Sequence, residues 1–492
     1  MTNKIYRIHN SDNVAVALEP LSKGEPIDEG ISAVQEIPSG HKVALKLIPV
    51  GADIVKYGFP IGTATRDIQP GEWVHTHCVN TKLGELLSYE YHPDIEPLKP
   101  ISPKTFLGYR RADGSVGIRN EVWIIPTVGC VNAIAKQIEE ASKEFLSPML
   151  DSITAYSHPY GCSQLGSDLL NTQKALCGLI RHPNAGAVLV LGLGCENNHV
   201  EEMKRVLGDY NPDRVKFLVC QEQEDEVEAA LPLMRELCQY ASSFHREPCS
   251  ASELIVGLKC GGSDGFSGIT ANPLVGSFSD RLIAQGGSTI LTEVPEMFGA
   301  ETLLMNRCEN EAVFQKTVEL INNFKKYFIR YGQEIDSNPS PGNKAGGITT
   351  LEDKSLGCVQ KGGTAPVRDV LAYGDSLSEK GLNLLQAPGN DMVAATATAI
   401  SGAQMVLFTT GRGTPFGCPV PTLKISSNSA LMQKKHKWID MDAGRLLSGV
   451  PMDELANELF DLVLHVASGE EKAKSESLDK RDLAIFKDGV TL

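Results

Sequence analysis

The sequence predicts an α/β protein that begins with a small all-β domain, and two patterns lead to this prediction. In about the first 90 residues, short β-branched and apolar runs are separated by proline and glycine turns, which is typical of small antiparallel domains. Further on, continuous apolar runs alternate with stretches of helical spacing, which is typical of parallel strands covered by helices. At 492 residues the chain is too long for one hydrophobic core. We therefore expect two subdomains in the α/β core.

The all-β domain is predicted over residues 1–91, followed by a linker over residues 92–105. Its expected strands are Val14–Leu18, Lys42–Ile48, Asp53–Tyr57 and Trp73–His77. The segment His92–Pro103 contains four prolines, which favour an extended and semi-rigid chain.

The core is predicted as one α/β domain over residues 106–250 and a second over residues 251–492 that ends in helices. The expected parallel strands are Val122–Ile125, Ser152–Tyr156, Ala187–Leu191, Val215–Val219, Leu254–Gly257, Thr289–Thr292, Asn383–Leu385 and Met405–Thr409. Ligands bind beyond the carboxyl ends of parallel strands, so the loops that follow these strands are expected to share a site. The glycine-rich stretch Asp336–Thr364 has few continuous apolar runs, and we expect a long functional loop there.

The composition limits what the protein binds and where it works. A net charge of −15 without a basic run opposes nucleic-acid binding. No apolar run is long enough to cross a membrane, and no apolar signal region follows Lys4, so a cytoplasmic protein is expected. In that compartment twelve cysteines favour buried thiols, metal ligands or reactive groups over disulfides.

Four of these cysteines, Cys130, Cys162, Cys195 and Cys260, lie at the ends of successive predicted strands. A free cysteine is ordinarily a small buried hydrophobe, but four at equivalent strand ends also suit the thiolate ligands of iron or zinc. Nitrogen and oxygen donors in the same loops could complete such a site: His158, Glu196 and Glu293. The spacing leaves open a mononuclear ion, an iron–sulfur cluster and reduced thiols without a metal.

Three further motifs each admit a functional and an ordinary interpretation. In a strand, His75-Thr76-His77 would place two imidazoles on one face about 7 Å apart, which suits a metal ion as well as an exposed face. The turn Gly411–Gly417 departs from the dinucleotide-binding fingerprint, but Arg412 within it could grip a carboxylate. The lysines and carboxylates of Pro341–Lys354 suit proton transfer or form a solvated charge cluster.

Longer stretches resemble one family over essentially the whole chain. The stretches His9–Ala17, Gly40–Leu45 and Lys56–Gly62 are similar to a SAF (β-clip) domain. The body resembles the altronate/galactarate dehydratase family, which also contains sulfolactate sulfo-lyases, in Gly108–Asn120, Cys260–Asn272, Pro341–Gly347 and Thr410–Pro415. The pair His75 and His77 resembles the altronate-type members, although Cys78 stands where asparagine is commoner.

The resemblance implies a hydro-lyase that converts D-altronate to 2-keto-3-deoxy-D-gluconate and water. It implies Fe²⁺ as activating metal, with Mn²⁺ as a substitute. Such an ion would stabilise the developing enediolate while a base takes the C2 proton and an acid protonates the leaving C3 hydroxyl. A galactarate-type dehydratase, a sulfo-lyase and a non-catalytic sugar-acid sensor are the alternatives, and a homo-oligomer is expected as for many enzymes of this size.

The site residues follow from the resemblance and the motifs together. The catalytic candidates are His158 or Lys344 as base, with Glu352 and Lys354 as acid or support. The substrate-binding candidates are His9, Asp12, His41, Lys42, Arg119, Asn120, Ser263, Asp264, Asn272, Arg412 and Thr414. The metal candidates are Cys130, Cys162, Cys195, Glu196, Glu293, His75 and His77.

Overall fold

A computed structural model describes residues 4–84 and 86–491, and its N-terminal part is built from short strands. These are β1 (Ile5–Tyr6), β2 (Val14–Ala17), β3 (Pro26–Asp28), β4 (Ile31–Ser32), β5 (Lys42–Ala44), β6 (Asp53–Lys56), β7 (Phe59–Ala64), β8 (Trp73–Val74) and β9 (Val79–Asn80). They pair antiparallel in the orders β1-β2-β5-β8, β6-β7-β9 and β3-β4. The predicted all-β domain is therefore confirmed.

The predicted strand Trp73–His77 ends earlier than expected. After Val74 the chain turns, and the Cys78 backbone N–H donates to the His75 carbonyl at 2.9 Å. His75 and His77 thus lie in a turn rather than on a strand face. The Trp73 ring lies 5.2 Å from the His75 ring and 5.4 Å from the His77 ring.

The described residues between β9 and β10 form neither helix nor strand, yet this segment is anchored to the core. The Tyr89 hydroxyl donates to a Glu301 carboxylate oxygen and the Tyr91 hydroxyl to the Cys308 carbonyl, both at 2.6 Å. The segment therefore lies against the second α/β unit.

The first α/β unit has two sheets. Strands β10 (Thr105–Arg110), β11 (Val116–Gly117) and β16 (Arg246–Ser250) form an antiparallel sheet in the order β11-β10-β16. Strands β12 (Glu121–Pro126), β13 (Ser152–Ala155), β14 (Ala185–Gly192) and β15 (Val215–Val219) form a parallel sheet in the order β13-β12-β14-β15. Its helices are α1 (Asn132–Ala141), α2 (Gly166–Arg181), α3 (Val200–Leu207) and α4 (Glu226–Ala241).

The second α/β unit is built on a seven-stranded parallel sheet in the order β19-β20-β18-β17-β21-β22-β23. The strands are β17 (Ile255–Cys260), β18 (Ser288–Leu291), β19 (Val367–Leu371), β20 (Leu382–Leu385), β21 (Met405–Thr410), β22 (Thr422–Ser426) and β23 (Met441–Asp442). The helices are α5 (Ala271–Ala284), α6 (Glu301–Met305), α7 (Glu311–Arg330), α8 (Pro341–Ala345), α9 (Leu351–Cys358), α10 (Asp391–Ile400), α11 (Ser429–Lys434), α12 (Met452–Ser468) and α13 (Lys474–Ser477).

The α/β fold class is confirmed, and each of the eight predicted parallel strands is present. The predicted loop over residues 336–364 is wrong in part, because α8 and α9 lie within it. All eight residues of α9 are buried, so the sequence shows no alternation of apolar and polar faces there. The domain boundaries stay predictions.

Each parallel sheet has a reversal point, where two neighbouring strands are followed by connections that lead to opposite sides of the sheet. In the first sheet the reversal lies between β12 and β14, and in the second between β17 and β21. Ligands bind beyond the carboxyl ends of strands at such points. None of the helices in the described parts of the chain combines the length and apolar character needed to cross a membrane.

Candidate active site

The loops after β17 and β21 meet at the reversal point of the larger sheet. The backbone N–H groups of Gly411 and Arg412 donate to the Gly262 carbonyl at 3.1 and 3.0 Å. The half-buried Asp264 carboxylate accepts hydrogen bonds from the hydroxyls of Ser267 and Ser427 at 2.9 and 2.8 Å. Burial raises the pKa of this carboxyl group. Asp264, a predicted substrate grip, thus fastens the loop after β17 to the residues that follow β22.

Buried charges lie behind this loop, around the carboxyl end of β18. Lys259 on β17 forms an ion pair with Glu293, and Lys361 lies 3.3 Å from the same carboxylate. Glu293 also accepts the backbone N–H of Cys260 at 3.0 Å. Its backbone is left-handed, with φ of 70°, a strained conformation of the kind that clusters at functional sites. Burial raises the pKa of Glu293.

Two thiols and a carboxylate come together next to these charges. The sulfur atoms of Cys260 and Cys358 lie 3.5 Å apart, and Glu296 Oε2 lies 3.2 Å from the first and 3.1 Å from the second. All three side chains are buried, and Lys361 Nζ lies 3.0 Å from the Cys260 sulfur. Among the described residues, no other group of three or more histidine, cysteine or acidic side chains has its ligand atoms within 4.8 Å of one another. Thiolates with a carboxylate suit Fe²⁺ or Zn²⁺.

Helix α9 brings Lys354 to the other side of Glu296. Lys354 Nζ lies 2.7 Å from Glu296 Oε1 and donates to the side-chain oxygen of Asn338 at 3.0 Å. Burial would lower the pKa of Lys354, but the Glu296 carboxylate outweighs this effect and raises it above its usual range. Burial would likewise raise the pKa of Glu296, but nearby lysines hold it well below its usual range. The pair is therefore an ammonium and a carboxylate at neutral pH.

A cavity of about 560 Å³ opens beside this pair. Its polar side includes Asn338, which contacts both Lys354 and Glu296, and Ser340. Its apolar wall comes from α7, through Phe324, Tyr327 and Phe328. The volume suits a small organic ligand.

The N-terminal domain closes the opposite side of the pair. A narrow space beneath Tyr57 is lined by Ser263, Asp264, Asn272 and Lys354, which are among the predicted site residues. Within the described residues, the buried Ser263 hydroxyl has no hydrogen-bond partner. The structure thus brings these four predicted residues together.

Asp353, next to Lys354 on α9, joins the two domains through buried ion pairs. Its carboxylate lies 2.8 Å from Lys42 Nζ and 2.9 Å from Lys56 Nζ, and Lys42 also donates to the Gly347 carbonyl at 2.7 Å. Burial lowers the pKa of Lys42 to about 8, although Asp353 opposes this shift. Lys42, a predicted substrate grip, therefore acts at the domain contact.

Two further predicted site residues, Glu352 and Asp12, form hydrogen bonds that fix segments of the N-terminal domain. The Glu352 carboxylate accepts hydrogen bonds from the Thr81 hydroxyl at 2.8 Å and the Lys82 backbone N–H at 2.6 Å. Asp12 accepts from the Gly58 backbone N–H at 2.8 Å and from that of His9 at 2.9 Å. Glu352 thus anchors the chain just after β9, and Asp12 shapes the turn at Tyr57–Gly58.

The histidines of the N-terminal domain form a separate group. His41 lies 3.3 Å from the Ala345 carbonyl and accepts the Trp73 indole N–H at 3.1 Å. Its ring centroid lies 5.0 Å from that of His75, whose Nδ1 is buried without a hydrogen-bond partner in the described chain. Burial lowers the pKa of His75 to about 4. Burial therefore favours the neutral form of the His75 ring.

Arg412, Thr414 and Lys344 lie at the rim of the larger sheet's loops. Arg412 is exposed and donates to the Gly342 carbonyl at 3.2 Å, whereas Thr414 is half-buried. Lys344 on α8 is half-buried and follows Asn343, whose side chain contacts Lys354 at 3.4 Å. Among the described residues, none of these three forms a hydrogen bond or ion pair with Lys354 or Glu296.

Arg119 and Asn120 belong to a different part of the molecule. Arg119 forms a buried ion pair with Glu476 at 2.7 Å, and the Asn120 amide donates to the carbonyls of Met149 and Ala241. These contacts secure the fold of the first α/β unit and its contact with α13.

His158 and Glu196 lie among the strand-end loops of the smaller sheet. His158 Nε2 lies 2.7 Å from the Pro126 carbonyl, while Nδ1 accepts the Tyr160 backbone N–H at 3.2 Å, so both ring nitrogens are engaged. Burial lowers its pKa to about 4. Glu196 accepts the Thr127 hydroxyl at 2.6 Å and organises its own loop. The structure thus separates these two residues from Lys354.

Sequence reasoning missed several members of the buried site: Lys259, Glu296, Cys358, Lys361, Asp353 and Tyr57. Glu296 had a signal, since it closes the loop Glu293–Glu296 after a predicted strand. Cys358 and Lys361 fall in the stretch predicted as a loop, which concealed that α9 and the turn after it carry them.

Three family models cover nearly all of the chain. Residues 3–82 match the altronate/galactarate dehydratase SAF domain, and residues 108–242 match the second domain of D-galactarate dehydratase/altronate hydrolase. Residues 251–491 match the C-terminal domain of D-galactarate/altronate dehydratase.

Curated relatives match along their full length. The chain is 53% identical to altronate dehydratase of Escherichia coli (strain K12) and 54% identical to altronate dehydratase of Bacillus subtilis (strain 168), in each case over 99% of both chains. It is 34% identical to galactarate dehydratase (L-threo-forming) of E. coli (strain K12), over 98% of this chain and 96% of the relative. The chain therefore belongs to the altronate/galactarate dehydratase family of hydro-lyases, with an N-terminal SAF domain.

Proposed function

We propose that the protein dehydrates D-altronate to 2-keto-3-deoxy-D-gluconate. The observation that supports this most directly is the buried Lys354–Glu296 pair beside a cavity of about 560 Å³. The two full-length altronate dehydratases at 53% and 54% identity favour this C6 acid over a dicarboxylate substrate.

Loss of water from a sugar acid needs a proton removed at C2 and a proton given to the C3 hydroxyl. Lys354 is the acid in this proposal, because it carries a proton at neutral pH and contacts the cavity residue Asn338. Lys344 is the base, since it lies one position from Asn343, which contacts Lys354. His158 is set aside as a base because hydrogen bonds occupy both of its ring nitrogens.

Fe²⁺ is the metal in this proposal, with Mn²⁺ as a weaker substitute. The donor set of Cys260, Glu296 and Cys358 fits Fe²⁺, because two thiols suit iron better than the oxygen-preferring Mn²⁺. When bound, the ion would supply Lewis-acid stabilisation of negative charge on the substrate. Glu296 can serve both roles, since Oε2 faces the thiols and Oε1 faces Lys354.

The proposal also includes a cytoplasmic location and a homo-oligomeric state. No nucleic-acid partner is part of it, because the net charge of −15 opposes phosphate binding.

The test is a substrate comparison with the full-length protein under anaerobic, reducing conditions with Fe²⁺. Altronate, galactarate and sulfolactate are each supplied, and 2-keto acid and sulfite are measured. We expect keto acid from altronate at the highest kcat/KM. Faster turnover of galactarate would assign the dicarboxylate reaction, and sulfite release would assign a sulfo-lyase. Tight altronate binding without product, with metal present, would indicate a sensor.

A further inference from the structure

Three cysteines of this protein are exposed although free cysteine is among the most buried residue types. All twelve cysteines are free, and nine of them are buried. The exposed ones are Cys130, Cys162 and Cys195. They are distinct from the Cys260–Glu296–Cys358 site.

These three cysteines share one position in the fold. Each follows a glycine in the loop beyond the carboxyl end of a strand: β12 for Cys130, β13 for Cys162 and β14 for Cys195. The three strands are neighbours in the order β13-β12-β14, and the sheet reverses between β12 and β14. The cysteines therefore occupy the place where parallel sheets bind ligands.

Direct backbone contacts hold the first two loops together. The Gly129 N–H donates to the Tyr160 carbonyl at 2.8 Å, one residue before Cys130 and two before Cys162. A β-carbon on Gly129 would lie 2.7 Å from the His158 carbonyl oxygen, so only glycine fits there. Cys130 and Cys162 thus sit on tightly packed neighbouring loops.

The third loop packs onto the second in the same way. The Asn198 N–H donates to the Gly161 carbonyl at 3.1 Å, and the Ser163 N–H donates to the Asn197 side chain at 2.8 Å. These contacts flank Cys162 on both sides and lie two and three residues beyond Cys195. The three thiols are therefore gathered at one edge of the sheet.

The spacing and the donor types point to a group larger than one ion. A mononuclear iron or zinc bound at about 2.3 Å draws its sulfur ligands to within roughly 4.6 Å of one another. These three sulfur atoms do not meet a 4.8 Å limit in the described chain, whereas Cys260, Glu296 and Cys358 do. Hydrogen bonds within the fold engage His158 and Glu196, the other donors of these loops. Iron–sulfur clusters are commonly held by cysteine thiolates alone, which is the donor set that these loops offer.

We propose that Cys130, Cys162 and Cys195 bind a [4Fe–4S] cluster as thiolates. Each thiol loses its proton on binding, and two Fe²⁺, two Fe³⁺ and four sulfide ions supplied from outside give the oxidised cluster without a further oxidant. Three protein thiolates would leave one iron of the cluster without a cysteine, and that iron could bind the oxygen atoms of a hydroxy acid. This site is separate from the mononuclear site of the proposed function and does not depend on the choice of substrate.

The test uses full-length protein purified without oxygen, reduced with a thiol that is then removed, and incubated with equal amounts of Fe²⁺ and Fe³⁺ and with sulfide. After removal of unbound iron, acid-labile sulfide and visible absorbance are measured, and dithionite-reduced samples are examined by electron paramagnetic resonance. We expect about four sulfides per chain and a broad visible band. Iron without sulfide would overturn the proposal.

Serine variants of the three cysteines test where the cluster binds, and a fourth variant controls for misfolding. Cys130→Ser, Cys162→Ser and Cys195→Ser should each lose most of the sulfide and the visible band. The matched control is Cys220→Ala, since Cys220 follows the fourth strand β15 but is buried, with its pKa raised to about 12 by burial. In the wild type, cluster loading should also protect three thiols from iodoacetamide. Equal sulfide in the serine variants and the control, or no protection, would refute the assignment even if the protein turned over altronate.

Discussion

Replacing Asp353 with asparagine should loosen the N-terminal domain. The Asp353 side chain is fully buried, as is that of Lys42, and Lys56 is 3% exposed. One carboxylate thus compensates two buried ammonium groups. Removing one partner of a buried ion pair costs about 3–5 kcal/mol, because the remaining charge stays without compensation.

The size of this loss can be measured locally by hydrogen–deuterium exchange with mass spectrometry. At about 1.4 kcal/mol for each factor of ten, peptides over residues 42–57 should exchange roughly a hundred to several thousand times faster in Asp353→Asn. The control is Asp375→Asn, which breaks the half-exposed Lys174–Asp375 pair and should cost less than about 1 kcal/mol. Exchange in Asp353→Asn within tenfold of the wild type would show that the ion pairs do not hold the domain.

Three further changes test the site and the fold. Lys354→Met should lower kcat/KM for altronate by roughly 10²–10⁴-fold, as expected for loss of an acid. The control Lys326→Met, at an exposed lysine, should leave kcat/KM unchanged. Equal kcat/KM in the two variants would remove Lys354 from catalysis. Cys358→Ser should abolish the sulfur-to-metal charge-transfer band of Co²⁺-loaded protein, with buried Cys308→Ser as control, and an unchanged band would place the metal elsewhere. Burial raises the pKa of Asp440 to about 6, above its value in the unfolded chain. The folded state therefore keeps a proton that the unfolded state has lost, and the free energy of unfolding should fall as the pH rises from about 4 to about 6. Urea titrations of wild type and Asp440→Asn should differ in this slope, and identical slopes would contradict it.

The sequence predicted those parts of the fold in which burial leaves a recognisable local pattern of apolar residues. Continuous apolar runs marked the eight central strands, because strands buried on both faces need no polar side. The same rule failed for α9, which is buried all round, and for β22, whose buried Lys424 interrupts the apolar run. Burial of charged residues is a tertiary property that no local pattern records.

The candidate site was predictable only one residue at a time. Cys260 was recognised at its strand end, but its partners Glu296 and Cys358 come from 36 and 98 residues further along the chain. Arg119 and Asn120 illustrate the converse difficulty, since a run shared with a family can reflect the fold as readily as an active site. Their side chains bind other groups of the protein, Glu476 for Arg119 and the Met149 carbonyl for Asn120.

The docking of the N-terminal domain also depends on three glycines. The Gly40 carbonyl occupies the space where Gly265 and Gly347 would carry a β-carbon, and the Gly265 N–H donates to the Gly346 carbonyl at 2.7 Å. Even an alanine at Gly265 or Gly347 would push the two backbones apart and draw Lys42 away from Asp353. Shape and charge at this contact are therefore coupled, because a side chain added at either glycine would also disturb the buried ion pairs.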